Sequence, residues 1–147
     1  MTTLTNNFSL AEAIRSEAAQ RLNLYNRPDP AQFGAIKHTA RQMERVREIL
    51  GNNPIIVSSW YRCERVNEIV GGTPTSAHLS GYAVDFTCPR YGTVTDICRA
   101  IVASGIEFDQ LIWEYGRWVH ISFAPAMRQQ VLHIKKGTGY LVGLPHD

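Results

Sequence analysis

Two stretches in the first third of the chain carry apolar residues at helical spacing. Residues 9–24 start at Ser9, and Glu12 three positions later completes a capping box, which is a common helix start. The apolar residues on one face of this helix are Leu10, Ala13, Ile14, Ala18 and Leu22. A second amphipathic helix is predicted over residues 30–50, with Asp29 as its N-cap and apolar residues Phe33, Ile36, Ala40, Met43, Val46 and Leu50.

The rest of the chain alternates strand-like segments with shorter helices. Apolar runs rich in β-branched and aromatic residues predict strands over residues 55–59, 82–86, 108–114, 118–123, 129–136 and 139–144. Two further helices are predicted over residues 64–70 and from Thr93 or Thr95 to residue 103. Neither a repeat nor a linker interrupts this order, which predicts one domain over residues 1–147.

The turn at residues 115–117 decides which way one acidic side chain points. If these three residues form the loop of a hairpin, Glu114 stands opposite Trp118 and Ile112 stands opposite His120. Because alternate residues of a strand share a face, Glu114 then lies on the same face as His120. A two-residue loop would place Glu114 on the other face, so this prediction depends on the length of one turn.

Two histidines and one aspartate are candidate metal ligands. His78 and Asp85 stand seven residues apart on either side of a small turn, and His120 lies on a later strand, on the face opposite its apolar neighbours. Each residue alone is more often structural. Together, two histidines and one carboxylate with an open fourth position form the ligand set of a catalytic zinc site.

Composition favours a globular domain and argues against a nucleic-acid-binding protein. The chain has 147 residues, 44% hydrophobic and 19% charged, which is ordinary for a globular domain with a substantial core. The formal charge of +2 is small and the basic residues are scattered, so a nucleic-acid partner is not expected. The oligomeric state cannot be read from the sequence.

The cysteines and the lengths of the apolar runs indicate the cellular compartment in which the protein is made. Cys63, Cys88 and Cys98 form no CxxC pair and are expected to be reduced, packed thiols. Residues 1–20 lack the apolar core of a signal peptide, and no apolar run approaches the length needed to span a membrane. The expectation is a protein made in the cytoplasm, which another factor must deliver if its target lies outside the membrane.

Six short blocks in order resemble the zinc D-Ala-D-Ala carboxypeptidase family. The blocks are residues 59–62 (SWYR), 67–72 (NEIVGG), 75–78 (TSAH), 81–85 (GYAVD), 108–114 (FDQLIWE) and 118–122 (WVHIS). The chain is most similar to the compact members that are common in bacteriophage genomes. The resemblance implies an α+β fold, with a small antiparallel sheet flanked by helices, shared with the hedgehog signalling domain. It also implies peptidoglycan stem peptides as substrate, in the cell wall or periplasm, for a phage lysin or a virion-associated protein.

The same resemblance implies roles for individual residues. His78, Asp85 and His120 match the zinc ligands of the family. Arg62 matches an arginine that faces the substrate carboxylate or the scissile carbonyl, and a surface position at a helix start is its alternative. Ser76 matches a small polar residue that binds the peptide, and its alternative is a hydroxyl that caps the loop.

The chain departs from the family pattern at the general base. Better-studied branches have a carboxylate two or three residues before the second histidine, where this sequence has Trp118 and Arg117. Glu114 is therefore the preferred candidate, on the hairpin geometry given above. Asp109 is the second candidate, with a cap at the start of the strand as its structural alternative.

Two functions follow from these matches. The first is zinc-dependent hydrolysis of stem peptides, as a D,D-carboxypeptidase or as an endopeptidase. The second is a catalytically silent zinc-binding or wall-binding module, which applies if Glu114 faces away from the metal. The sequence favours the enzyme because competent residues fill every ligand position. It does not decide which peptidoglycan bond is cut.

Overall fold

The computed structural model describes residues 2–146. The helices are α1 (Leu10–Ile14), α2 (Glu17–Arg21), α3 (Pro30–Ile49), α4 (Glu64–Ile69) and α5 (Val94–Ser104). The strands are β1 (Thr3–Thr5), β2 (Phe8–Ser9), β3 (Ile56–Ser59), β4 (Ala83–Thr87), β5 (Gln110–Glu114), β6 (Trp118–Ser122), β7 (Gln130–Ile134) and β8 (Leu141–Val142).

Six strands form the main sheet in the order β3-β4-β6-β5-β7-β8, and β1 pairs with β2 separately. From β3 to β5 in this order, each strand is antiparallel to the next, and this mixture of sheet and helices confirms the predicted α+β class. The predicted last hairpin is also present as β7 and β8. β7 runs parallel to β5, because the connection over residues 123–129 returns the chain to the start of β5.

The two faces of the sheet have different neighbours. Side chains on one face join the core with the long helix α3 and with α5. The core residues supplied by the central strands are Val84, Phe86, Leu111, Val119 and Ile121. The alternate residues, among them Asp85 and His120, point to the opposite face. The core therefore fixes the register of the strands that carry the candidate ligands.

The prediction of one continuous helix over residues 9–24 is wrong. It is broken at Arg15, whose backbone is extended, and α2 begins after Ser16. The Ser16 side chain accepts a hydrogen bond from the Ala19 N–H, so this serine starts a new helix where the apolar pattern predicts continuation. The capping box at Ser9 is present as predicted.

Within the described residues, we find no helix that is both long enough and apolar enough to cross a membrane.

Gly81 holds the loop before β4 against α3. Its φ of +91° lies in the left-handed region, and a Cβ there would lie 2.8 Å from Cγ1 of Ile36. Its carbonyl accepts hydrogen bonds from the Thr39 hydroxyl and the Trp60 indole N–H. This glycine therefore fixes the path of the chain between His78 and β4.

We expect Gly81→Ala to lower the free energy of unfolding by about 2 kcal/mol or more, since strain and overpacking add. Urea denaturation of the variant and the wild type measures this difference. Gly139→Ala is a matched control, because a Cβ at Gly139 meets no atom within 4 Å. Equal stability of the Gly81→Ala variant and the wild type would contradict the close packing of this loop.

Candidate active site

The fold brings the predicted ligands together on the sheet face that points away from the core. Asp85 on β4 and His120 on β6 are direct cross-strand partners. His78 reaches them from the loop before β4. One potential ligand atom from each residue lies within 4.8 Å of the others. The side chains are buried, so the cluster is not a chance grouping of exposed polar residues.

A backbone carbonyl fixes the orientation of the His78 ring. Nδ1 of His78 lies 2.6 Å from the carbonyl oxygen of Trp60, and because a carbonyl only accepts, this nitrogen donates its proton. Nε2 then points toward Asp85 and lies 3.2 Å from its Oδ1. Metal-binding histidines are commonly oriented in this way, with one nitrogen donating and the other facing the ion.

Burial and charge act in opposite directions on the cluster. Burial lowers the pKa of His78 and outweighs the charge of Asp85, so this ring favours the neutral form. Burial also opposes charge on His120, but the hydrogen bond and charge of Asp85 outweigh it and raise the pKa of His120. Burial raises the pKa of Asp85, but the contacts of its carboxylate with His78 and His120 reverse this and hold the pKa well below its ordinary value.

The orientation and the neutral form of His78 fit a metal ion. A neutral His78 that donates from Nδ1 presents a lone pair at Nε2 to a buried carboxylate oxygen 3.2 Å away. Two acceptors face each other, and a cation between them removes the repulsion. The donor set of two imidazole nitrogens and one carboxylate suits Zn²⁺.

Arg62 lies beside Asp85 and is held by several acceptors. Its Nη2 is 3.7 Å from Oδ2 of Asp85, and its other nitrogens donate to the Ser59 hydroxyl and the Asn67 amide oxygen. Burial lowers the pKa of Arg62, while the carboxylates of Asp85 and Glu114 act against this. Only 14% of the side chain is exposed. The alternative of a free surface position at a helix start therefore does not describe Arg62.

Gly72 leaves the space that this arginine needs. A Cβ at Gly72 would lie 2.0 Å from Oδ1 of Asn67 and 2.9 Å from Nη1 of Arg62. We expect Gly72→Ala to displace the guanidinium and to lower kcat/KM by about 10- to 100-fold, because a misplacement of about 1 Å can have that effect. Kinetics of the hydrolysis proposed below measure it, and Gly71→Asn, at a position with open space and a φ of +78°, is the control. Unchanged kinetics in Gly72→Ala would remove Arg62 from the active site.

Ser76 lines a cleft beside the cluster, together with Glu114 and His120. Its hydroxyl accepts a hydrogen bond from the backbone N–H of His78. The loop-capping alternative is therefore present in the structure, and the half-buried serine also borders the cleft.

Glu114 faces the cleft, as the three-residue turn predicts. The observed register pairs Glu114 with Trp118 and Ile112 with His120. The carboxylate of Glu114 accepts hydrogen bonds from the Trp118 indole N–H and, at 3.5 Å, from the Tyr140 hydroxyl. Burial and the charge of Asp85 raise the pKa of Glu114, against the opposing effects of His120 and of these two donors. A carboxylate with a raised pKa next to candidate metal ligands is suited to proton transfer.

Asp109, the second candidate for the base, is already paired. Its two carboxylate oxygens accept hydrogen bonds from Arg128, at 2.8 Å from Nε and 2.9 Å from Nη2. These hydrogen bonds lower the pKa of Asp109 more than burial raises it. The residue borders the same cleft, but its arrangement is that of a structural ion pair.

Two contributors to the site were not found from the sequence. The Trp60 carbonyl is a backbone group and leaves no signal in a residue pattern. Tyr140 belongs to a predicted hairpin, but only the parallel pairing of β7 with β5 brings this tail beside Glu114. The sequence shows Tyr140 only as a tyrosine near the start of a short predicted strand. Tyrosines are common at such positions, so this one did not stand out as a site residue.

Comparison with known proteins agrees with the geometry. The family model described as Peptidase M15 matches residues 6–122, which is most of the chain. A search of curated proteins finds no match. The match covers the three clustered residues, Arg62 and Glu114, and ends before the β7–β8 hairpin. The chain therefore belongs to the peptidase M15 family of metallopeptidases.

Proposed function

We propose that this protein is a zinc-dependent hydrolase of peptide bonds in peptidoglycan stem peptides. The observation that carries the proposal is the buried cluster of His78, Asp85 and His120, with Glu114 lining the cleft next to His120. In this proposal the cluster holds the ion, and Glu114 is the general base. A stem peptide would occupy the cleft, as a substrate of a phage lysin or of a virion-associated wall hydrolase.

Zn²⁺ and Glu114 would have separate roles in hydrolysis. Bound Zn²⁺ would supply Lewis acidity and bring the pKa of water from about 15.7 toward about 7. Glu114 takes a proton from the attacking water as the new C–O bond forms, and it returns a proton to the leaving nitrogen as the C–N bond breaks. Its raised pKa allows it to hold that proton between the two steps.

Arg62 and Ser76 would bind the substrate. The guanidinium of Arg62 is fixed beside Asp85 and can pair with a terminal carboxylate or with the developing oxyanion. Pairing with a terminal carboxylate suits a D,D-carboxypeptidase. Stabilising the oxyanion suits a carboxypeptidase and an endopeptidase alike. The Ser76 hydroxyl can hydrogen-bond the peptide backbone at the edge of the cleft.

Zinc content and lysis of purified cell walls together test the proposal. The zinc-loaded protein should contain about one ion per chain. It should lower the turbidity of a wall suspension if it is an endopeptidase, or release D-alanine from the walls if it is a carboxypeptidase, and a chelator should block either activity. His120→Ala should lose both zinc and activity. Bound zinc with no lysis, no released peptide and no released D-alanine would contradict the proposal and would favour a silent wall-binding module.

A further inference from the structure

The turn that joins β5 to β6 has an unusual residue at its tip. Tyr115 has a φ of +58° and Gly116 has a φ of +66°, and the Arg117 N–H donates to the Glu114 carbonyl. Consecutive left-handed residues of this kind favour asparagine, aspartate or glycine at the first position. A tyrosine there strains the backbone, and such departures from local preference are expected where a side chain serves a function.

The ring of Tyr115 lies against a second aromatic residue. The ring centroids of Tyr115 and Trp118 lie 5.7 Å apart, and 44% of Tyr115 is exposed. The Trp118 indole donates to Glu114, so the aromatic pair adjoins the proposed general base. A ligand in the cleft that extends beyond Glu114 would therefore meet these rings.

Three cations border the same surface. Arg117, Lys135 and Lys136 line a groove with Trp113, Tyr115 and Trp118. All three cations are exposed, and among the residues that the structure describes none of them forms an ion pair. Lys135 and Lys136 follow β7 and lie beyond the part of the chain that the family model matches. The groove thus joins flat aromatic rings to positive charge that forms no ion pair with a carboxylate of residues 2–146.

We infer that this aromatic and cationic groove binds the glycan and peptide polymer of the cell wall beside the bond to be cut. The inference rests on the proposed function, since it extends the same substrate. Aromatic rings present flat apolar faces to sugar rings, and the cations pair with carboxylates of neighbouring stem peptides. The small net charge of the chain makes a general attraction to polyanions a weaker explanation than a local site.

Co-sedimentation with insoluble, purified peptidoglycan tests the groove. The assay uses full-length protein that carries Glu114→Gln, so that the polymer is not digested during the measurement. Removing three cations with Arg117→Gln, Lys135→Gln and Lys136→Gln should weaken binding about tenfold, as three exposed charge contacts would. The matched control removes three exposed cations from α3 with Lys37→Gln, Arg41→Gln and Arg45→Gln and should bind almost as before.

The tyrosine is tested separately. Tyr115→Asn places a favoured residue in the turn, so the melting temperature should stay level or rise while binding weakens about fivefold. Tyr25→Asn, at a tyrosine that is 89% exposed, should leave binding unchanged. A loss of affinity without a loss of stability would identify Tyr115 as a ligand contact.

Three results would overturn the inference. The first is equal weakening by the two triple variants, which would show a nonspecific charge effect. The second is unchanged binding in both groove variants. The third is equally tight, groove-dependent binding to vesicles that contain phosphatidylserine, which would indicate a membrane ligand. The binding assay needs no turnover, so it tests the groove separately from catalysis. If the protein binds through the groove but cleaves no peptide bond, the proposed function is contradicted and the binding site is still supported.

Discussion

Replacing Glu114 with Gln is expected to lower kcat by about 10²- to 10⁴-fold, the usual contribution of a general base. The amide has nearly the same shape but cannot take the proton from water. The hydrogen-bond partners of Glu114 are Trp118 and Tyr140, outside the proposed ligand set, so zinc should stay bound. Steady-state kinetics on stem peptide, with zinc content measured on the same samples, check both expectations.

Asp109→Asn is the matched control for that variant. It removes a carboxylate from the same cleft but breaks the ion pair with Arg128. We expect lower stability and near-normal turnover per folded molecule. If Asp109→Asn lost turnover while Glu114→Gln kept the wild-type rate, the general base would be Asp109 and the assignment of Glu114 would be wrong.

Removal of the metal should destabilise the protein as well as inactivate it. Without a cation, the lone pair of His78 Nε2 faces the carboxylate of Asp85 inside a buried site. A ligand that binds only the folded state at 1,000 times its Kd adds about 4.1 kcal/mol to the free energy of unfolding. Thermal unfolding with excess Zn²⁺ and with a chelator should therefore give clearly separated melting temperatures.

The choice of metal and a ligand variant control this experiment. Mg²⁺ prefers oxygen donors and octahedral geometry, so it should not restore the melting temperature of the chelated protein. His120→Ala should abolish the shift that zinc causes. A melting temperature that is independent of zinc in the wild type would contradict a metal site built from His78, Asp85 and His120.

Much of the site could be predicted because local rules determine it. The length of the turn at residues 115–117 fixed the register of β5 and β6, and the observed pairing of Glu114 with Trp118 confirms it. The capping box at Ser9 and the N-cap at Asp29 marked helix starts correctly, since their hydrogen bonds span only three residues. The alternation of polar and apolar residues placed His120 on the face away from the core.

The rest depends on contacts between distant segments, which a single sequence does not display. The pairing of β1 with β2 was not predicted, and the two strands are too short to carry a clear alternating pattern. The parallel pairing of β7 with β5 follows from the path of the chain through residues 123–129. That pairing sets Tyr140 beside the cleft and the two lysines in the groove beside the turn at residues 115–117, so these parts of the site were not predicted.

Digestion of defined muropeptides is the measurement that tests the central claim most directly. Zinc-loaded protein and a chelated sample are incubated with the same substrates, and the products are identified by mass spectrometry. We expect cleavage of a stem-peptide bond that the chelator abolishes and added zinc restores. Loss of one alanine would identify a carboxypeptidase, and larger fragments would identify an endopeptidase. Intact muropeptides with zinc bound to the protein, or equal cleavage in the chelated sample, would contradict a zinc-dependent stem-peptide hydrolase.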